Sequence, residues 1–360
     1  MNLSILIGTN RSGLLACSRI AQACSWAGPD IEVIVRDNSG DAQKRALLPQ
    51  FQRDYCNIII AEPCDALTNL SEILKLAQGE FIFLLADDDF CFDHAIASLS
   101  RTIGQFGRDA SVAGITGAYI VETSQESMVV NYPNIDSDDV AARVAGYLSY
   151  PGANIMHYAP VRREIFMRVF DFMGTMPVSF LSFHDQIICL LYLLNGKFVR
   201  LPRLLYLYDF GVWEKTETGQ KRDVDFYKAA GLDPAVNKLH WFLCAFEGAA
   251  LTLNSDLFPD HSLAQRQAVT NSWFGTMFGR FREHERLTFG SLFAKDAEKL
   301  CAKLRGMAGT NSFDSMLADI SDVIALFSKN HAQSYFEFWD AILNKRRPVS
   351  RDAGTTRASA

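Results

Sequence analysis

Within the first ninety residues of this 360-residue chain, four short apolar runs recur, each closing on polar residues and spaced as βα units are. They are Leu3-Ser-Ile-Leu-Ile7, Ile31-Glu-Val-Ile-Val35, Asn57-Ile-Ile-Ile60 and Phe81-Ile-Phe-Leu-Leu-Ala86. Runs this apolar suit strands buried on both faces, as in a parallel sheet whose crossovers are helices. Helices are expected from Ser12 to Trp26 and from Leu67 to Ala77. The fold class expected is α/β, doubly wound, and such sheets bind ligands at the carboxyl ends of their strands.

Those ends carry chemistry. The fourth run stops at Asp87-Asp88-Asp89. Adjacent carboxylates repel, and a hard cation such as Mg²⁺ or Mn²⁺ would neutralise them while also taking phosphate oxygens. The plainer reading is an acidic surface turn. The second run stops at Asp37-Asn38-Ser39-Gly40, and taken alone Asp37 reads equally well as an Asx-turn.

Further along, a strand is expected over Val112 to Val121, a polar loop from Ser124 to Asp139, and a helix over Ile187 to Leu194 that ends near Gly196. Two strand segments follow, Phe198 to Leu201 and Leu204 to Tyr208. After Trp213 the texture changes, and Asp223 to Leu343 reads as helices without a strand. The expected division is 1–213 for the α/β domain, 223–344 for a helical domain and 345–360 for a disordered tail. The apolar stretch Trp241-Phe-Leu-Cys-Ala-Phe246 suits a buried core helix better than a membrane-surface helix.

Composition narrows the function classes. With 35 basic and 41 acidic side chains the net charge is −6, which does not indicate a general nucleic-acid-binding surface. Eight scattered cysteines without a C-x-x-C pair suit buried free thiols in a reducing compartment. The longest uninterrupted apolar stretch, Ile187 to Leu194, is far shorter than the roughly 20 residues of a membrane-spanning helix. A cytoplasmic protein is expected, with peripheral contact at the inner membrane face through Arg280, Arg282, Arg286 and the Lys345-Arg346-Arg347 tail as the weaker option.

In order and spacing, Leu3 to Thr9-Asn10-Arg11, Glu32 to Asp37-Asn38-Ser39, Asn69, and Gly79 to Asp87-Asp88-Asp89 resemble the landmarks of family 2 glycosyltransferases of the GT-A fold, DXD-type and inverting. The resemblance covers residues 1 to 212. It implies a Rossmann-like, mostly parallel sheet flanked by helices, followed here by a helical C-terminal domain. It also implies that Thr9 and Asp37 hold the nucleobase of a UDP-sugar, with Asn10, Arg11 and Asn69 in the same donor-binding set. Asp87 would lie near the ribose or diphosphate, Asp88 would shape the turn, and Asp89 would ligate Mn²⁺ or Mg²⁺. Gly8 stands where the family usually has Pro, and no aromatic separates Thr9 from Asn10.

The family's catalytic base sits at a helix start, and Ser182-Phe183-His184-Asp185-Gln186 stands at that place. Asp185 would then accept the acceptor hydroxyl's proton. The spacing Ser182-x-x-Asp185 also resembles a capping box. The resemblance would place the stretch Gly152 to Tyr158 near the acceptor, whereas the residues themselves read more simply as a strand-loop-helix connection; the sequence leaves the acceptor open as glycan, lipid-linked molecule or protein. Competing signatures fall short: Gly8-Thr-Asn-Arg-Ser-Gly13 has phosphate-loop spacing, but Leu14-Leu15 replaces the required Lys-Ser/Thr. The resemblance therefore implies a metal-dependent, inverting glycosyltransferase, with a nucleotide-sugar-binding protein bearing a degenerate centre as the alternative. The helical domain is expected to complete the acceptor side or a homo-oligomer interface.

Overall fold

The computed structural model describes residues 1–11, 13–64, 66–131, 135–149, 155–177, 185–209, 239–258, 261–287, 302, 312–326 and 328–345. The chain divides into two compact units, Met1–Arg168 with Asn195–Thr216, and Val169–Leu194 with Glu217–Ala360.

The first unit is built on a nine-stranded sheet. Its strands are β1 (Leu3–Thr9), β2 (Ile31–Asp37), β3 (Cys56–Ile60), β4 (Phe81–Leu84), β5 (Phe90–Cys91), β6 (Val112–Glu122), β7 (Ser127–Val130), β8 (Val161–Arg162) and β9 (Lys197–Asp209). The order is β3-β2-β1-β4-β8-β6-β9-β5, with β7 added to β6. All four apolar runs expected as strands are strands, and β1 is parallel to both β2 and β4, as β2 is to β3. Leu3, Ile5 and Leu6 of β1 and Val33 and Val35 of β2 have no exposed surface, as strands covered on both faces require. Helices α1 (Leu14–Ser25), α3 (Ala66–Leu74) and α4 (Asp93–Phe106) pack on the strands, and α2 (Ala42–Leu47) and α5 (Val140–Leu148) belong to the same unit. In α4 the buried set Ala95, Ile96, Leu99 and Ile103 follows the 3.6-residue period.

Two local differences from the sequence reading have physical causes. The stretch expected as a polar loop contains β7, which pairs antiparallel with β6 from Tyr119↔Val130 to Glu122↔Ser127. The two segments expected around Pro202 form one strand, β9. Its register against β6 jumps from Gly117↔Leu201 to Ala118↔Leu204, so Pro202 and Arg203 bulge out of the ladder. A proline lacks the N–H that a ladder needs, and a bulge is where a sheet tolerates one.

In the second unit every described element is helical. After α6 (Arg163–Thr175), which straddles the two units, come α7 (Asp185–Asn195), α8 (His240–Asn254), α9 (Leu263–Leu287), α10 (Phe313–Ala325) and α11 (Lys329–Leu343). Every residue of α8 from Phe242 to Thr252 is buried, which is the pattern of a central core helix. Arg280 and Arg282 lie over the rings of Trp241 and Phe278, 5.0 and 4.6 Å from the centroids. The tail beyond Lys345 lies outside the described residues. Among the described residues no helix is long and apolar enough to cross a membrane. The seven described cysteines are free thiols.

Candidate functional site

Strand register assembles the strand-end cluster. Thr9 and Asp37 are direct neighbours at the ends of β1 and β2. On the other side of β1, Leu6 pairs with Leu84, so the chain leaving β4 brings Asp87 alongside Thr9. The Thr9 hydroxyl donates to Asp87 Oδ2. Arg11 Nε lies 3.3 Å from Asp87 Oδ1, and its Nη1 pairs with Asp88. Residues from three strands separated by as many as 78 positions thus meet at one sheet edge.

Asp37 forms the Asx-turn its sequence suggests, accepting from Ser39 N at 3.3 Å and from Ser39 Oγ at 3.2 Å. Gly40 continues the turn at φ +71°, a conformation L side chains seldom adopt. The turn is not the whole role of Asp37. Lys44 Nζ lies 3.0 Å from its Oδ1, and both side chains are essentially without exposed surface, 1% for Lys44 and 0% for Asp37. The same ammonium donates to Thr9 Oγ1 and, at 2.8 Å, to the carbonyl of Arg11. Lys44 escaped the sequence reading because a lysine on a short helix ordinarily marks a solvated face. Asp41, which caps α2 by accepting from Gln43 N and Lys44 N, was the available signal for that helix. Removing one partner of a buried ion pair costs about 3–5 kcal/mol.

Asn69 on α3 donates to Asn38 Oδ1 at 3.0 Å and accepts from Arg36, tying the turn after β2 to the helix before β4. Asp87 and Asp89 are buried, whereas Arg11 and Asp88 keep 41% and 27% of their side chains exposed and Asn10 is exposed. Burial pushes the Asp87 carboxyl up from its ordinary value, against the pull of the Thr9 hydroxyl and Arg11. Burial works against the charge of Arg11, yet the hydrogen bond to Asp88 and the charges of Asp87, Asp88 and Asp89 raise it. Three adjacent carboxylates, two of them buried, repel one another and have the chemistry to accept a cation. Among the described residues no three His, Cys, Asp or Glu side chains converge as a ready-made metal cage. Oxygens from a bound phosphate would have to complete the coordination.

Asp185 belongs to the other unit. It is the first residue of α7, where a negative charge complements the helix dipole. Burial pushes the Cys244 thiol of α8 well up, and the charges of Glu247 and Asp185 add to the shift, so Asp185 lies within electrostatic reach of α8. Ser182 and His184 lie outside the described residues, as do Gly152 to Asn154. Of that last stretch the described part ends with His157 and Tyr158, whose rings meet edge-on at 5.0 Å.

No protein-family model and no curated protein matches this chain. Solved structures do match. S. aureus TarS 1-349 aligns with a TM-score of 0.53 at 12% identity, covering 96% of this chain and 92% of that one. The same fragment in complex with UDP-GlcNAc gives 0.54 at 12% identity, with 96% and 93% covered. Against the longer TarS structure the TM-score is 0.52 at 11% identity, and this chain spans 55% of its length. What is shared at such identities is the fold, a GT-A-like, mostly parallel sheet flanked by helices with a helical region after it.

Proposed function

We propose that this protein is a glycosyltransferase that takes its donor as a nucleoside-diphosphate sugar at the strand-end cluster. The observation carrying this reading is the meeting of Thr9, Arg11, Asp37, Asp87 and Asp88 at the carboxyl ends of parallel strands, the edge at which such sheets bind ligands. The complex of TarS 1-349 with UDP-GlcNAc supports a UDP-sugar as the donor. In this reading Thr9 and Asp37 serve the nucleobase end. Asn10 and Arg11 serve the diphosphate, Asn69 braces the turn that carries Asp37, and Asp87 and Asp88 serve the ribose and diphosphate. Because Asp37 has no exposed surface, contact with a base requires the Asp37-to-Gly40 turn to shift.

Asp89 would hold Mn²⁺ or Mg²⁺ together with donor phosphate oxygens. The ion's chemistry there is to stabilise charge developing on the leaving diphosphate. Arg11, the exposed cation at the cluster, adds positive charge on the same side. Asp185 is proposed as the base that deprotonates the acceptor hydroxyl for inverting transfer, the acceptor being a glycan, a lipid-linked molecule or a protein.

A thermal-shift screen of nucleotide sugars with and without Mn²⁺ tests the donor site. UDP-sugars should raise the melting temperature in a Mn²⁺-dependent way, and Asp89→Asn should remove the Mn²⁺-dependent part. A flat response to every nucleotide sugar would defeat the proposal, and an unchanged Mn²⁺ effect in Asp89→Asn would remove Asp89 from the metal's ligands.

A further inference from the structure

Lys44 is the deepest cation in the cluster, and at 1% side-chain exposure it offers a ligand nothing to touch. Its ammonium has three donors and no acceptor capacity. All three find oxygens: Asp37 Oδ1 at 3.0 Å, the Arg11 carbonyl at 2.8 Å and Thr9 Oγ1. Because Lys44 can only donate, the Thr9 hydroxyl must accept from it, and its single proton is left for Asp87. The direction of the chain Lys44 to Thr9 to Asp87 is therefore fixed.

We propose that Lys44 is the positioning residue of the donor site, setting the Asp37 end and the Asp87 end at one separation through Thr9 and holding the Asn10–Arg11 loop by its carbonyl. The proposal rests on the donor-site reading above and adds to it a residue that acts without contacting the ligand. A nucleoside diphosphate is a long ligand whose two ends must be met together. Side chains on β1, β2 and the turn after β4 would otherwise be free to drift apart, and a side chain a fraction of an ångström out of place loses its contact. Arginine would not substitute, since its planar fork is wider than an ammonium with three close acceptors.

Pair removal separates this role from plain stability. A buried ion pair replaced on both sides by uncharged residues often leaves a fold as stable as before, whereas removing one partner strands a charge. Lys44→Met alone and Asp37→Asn alone each strand a charge and are at risk of not folding. The double variant Lys44→Met/Asp37→Asn carries no stranded charge, and the wild type is its reference. The probe is inorganic pyrophosphate with Mn²⁺, measured by calorimetry, because pyrophosphate has no base to report on Asp37. Relative to the wild type, the double variant should bind pyrophosphate about 10- to 100-fold more weakly, the range typical of groups that orient ligand-contacting residues. Pyrophosphate affinity in the double variant equal to that of the wild type, with the wild type binding both UDP and pyrophosphate, would overturn the role of Lys44 and leave the donor site standing. A wild type that binds neither would bring down the donor site and this proposal together.

Discussion

At the strand ends of the α/β unit, Lys44, Asp37, Thr9 and Asp87 form a continuous buried chain of polar contacts that surfaces at Arg11 and Asp88. The core of the helical unit is arranged differently. There Phe242, Phe246, Trp273 and Trp339 are buried among other rings, with Phe246 and Trp339 edge-on at 5.8 Å. Two of its buried polar groups close on their own neighbours: Trp273 Nε1 donates to the Cys244 carbonyl at 2.7 Å, and Tyr335 donates to Glu247 at 3.1 Å. A network that leads to the surface gives a ligand something to compete for. One that ends on internal carbonyls and carboxylates specifies packing. Substitutions at the surface end of the first, Arg11 and Asp88, should alter ligand binding more than stability, and those in the second should do the reverse.

Asp185 is the residue most able to break that contrast, because it lies in the helical unit yet is proposed to do chemistry. Asp185→Asn keeps the shape but cannot take a proton, so turnover should fall by about 10²- to 10⁴-fold while Mn²⁺-dependent UDP affinity persists. Steady-state kinetics beside calorimetry makes the measurement. Near-normal turnover with a lowered melting temperature would mean that Asp185 only complements its helix, and the contrast between the units would hold without exception.

Which features were legible in the sequence follows from how local their causes are. The four parallel strands were readable because an apolar run and the polar residue that stops it are neighbours in sequence. The cluster's acids were readable for the same reason. Strand β7 was not, since Met128 and Val129 are exposed at 50% and 56% and the strand lacks the alternation that burial of one face imposes. Lys44 was not, since its burial depends on Thr9 and Arg11, more than thirty residues away. Helix α7 shows the same limit at larger scale. Its apolar face was plain, but no local signal says that Val169–Leu194 packs with the chain after residue 216.

Gly248 offers a sharper test of the packing side. A Cβ added there would lie 2.1 Å from Trp273 Nε1 and 2.6 Å from its Cε2, and Trp273 has no exposed surface into which to retreat. Gly248→Ala gains up to about 1 kcal/mol of helix propensity. Against that stand overpacking, about 1–3 kcal/mol, and strain on the indole hydrogen bond, about 1 kcal/mol. A net loss of about 1–3 kcal/mol is expected by denaturant titration, with UDP affinity at the wild-type level. A stabilised variant would show that α8 and α9 are less closely fitted than this contact implies.

The smallest expected effect belongs to Tyr335. Burial, with the charge of Glu247 adding, pushes its phenol well above the ordinary value, so it donates to Glu247 as a neutral hydroxyl. Tyr335→Phe keeps the ring in its place beside Trp339 and removes only the donor. Leaving a buried acceptor short of a partner costs about 1–3 kcal/mol, and the lower end applies here because Glu247 has a further interaction. The expected outcome is therefore a loss of about 1 kcal/mol with unchanged donor binding and turnover. A fall in turnover at near-normal stability would instead tie Glu247 to the chemistry of Asp185, since both charges act on Cys244. In that case the helical unit would hold a functional polar network of its own, and the contrast between the two units would have to be redrawn around it.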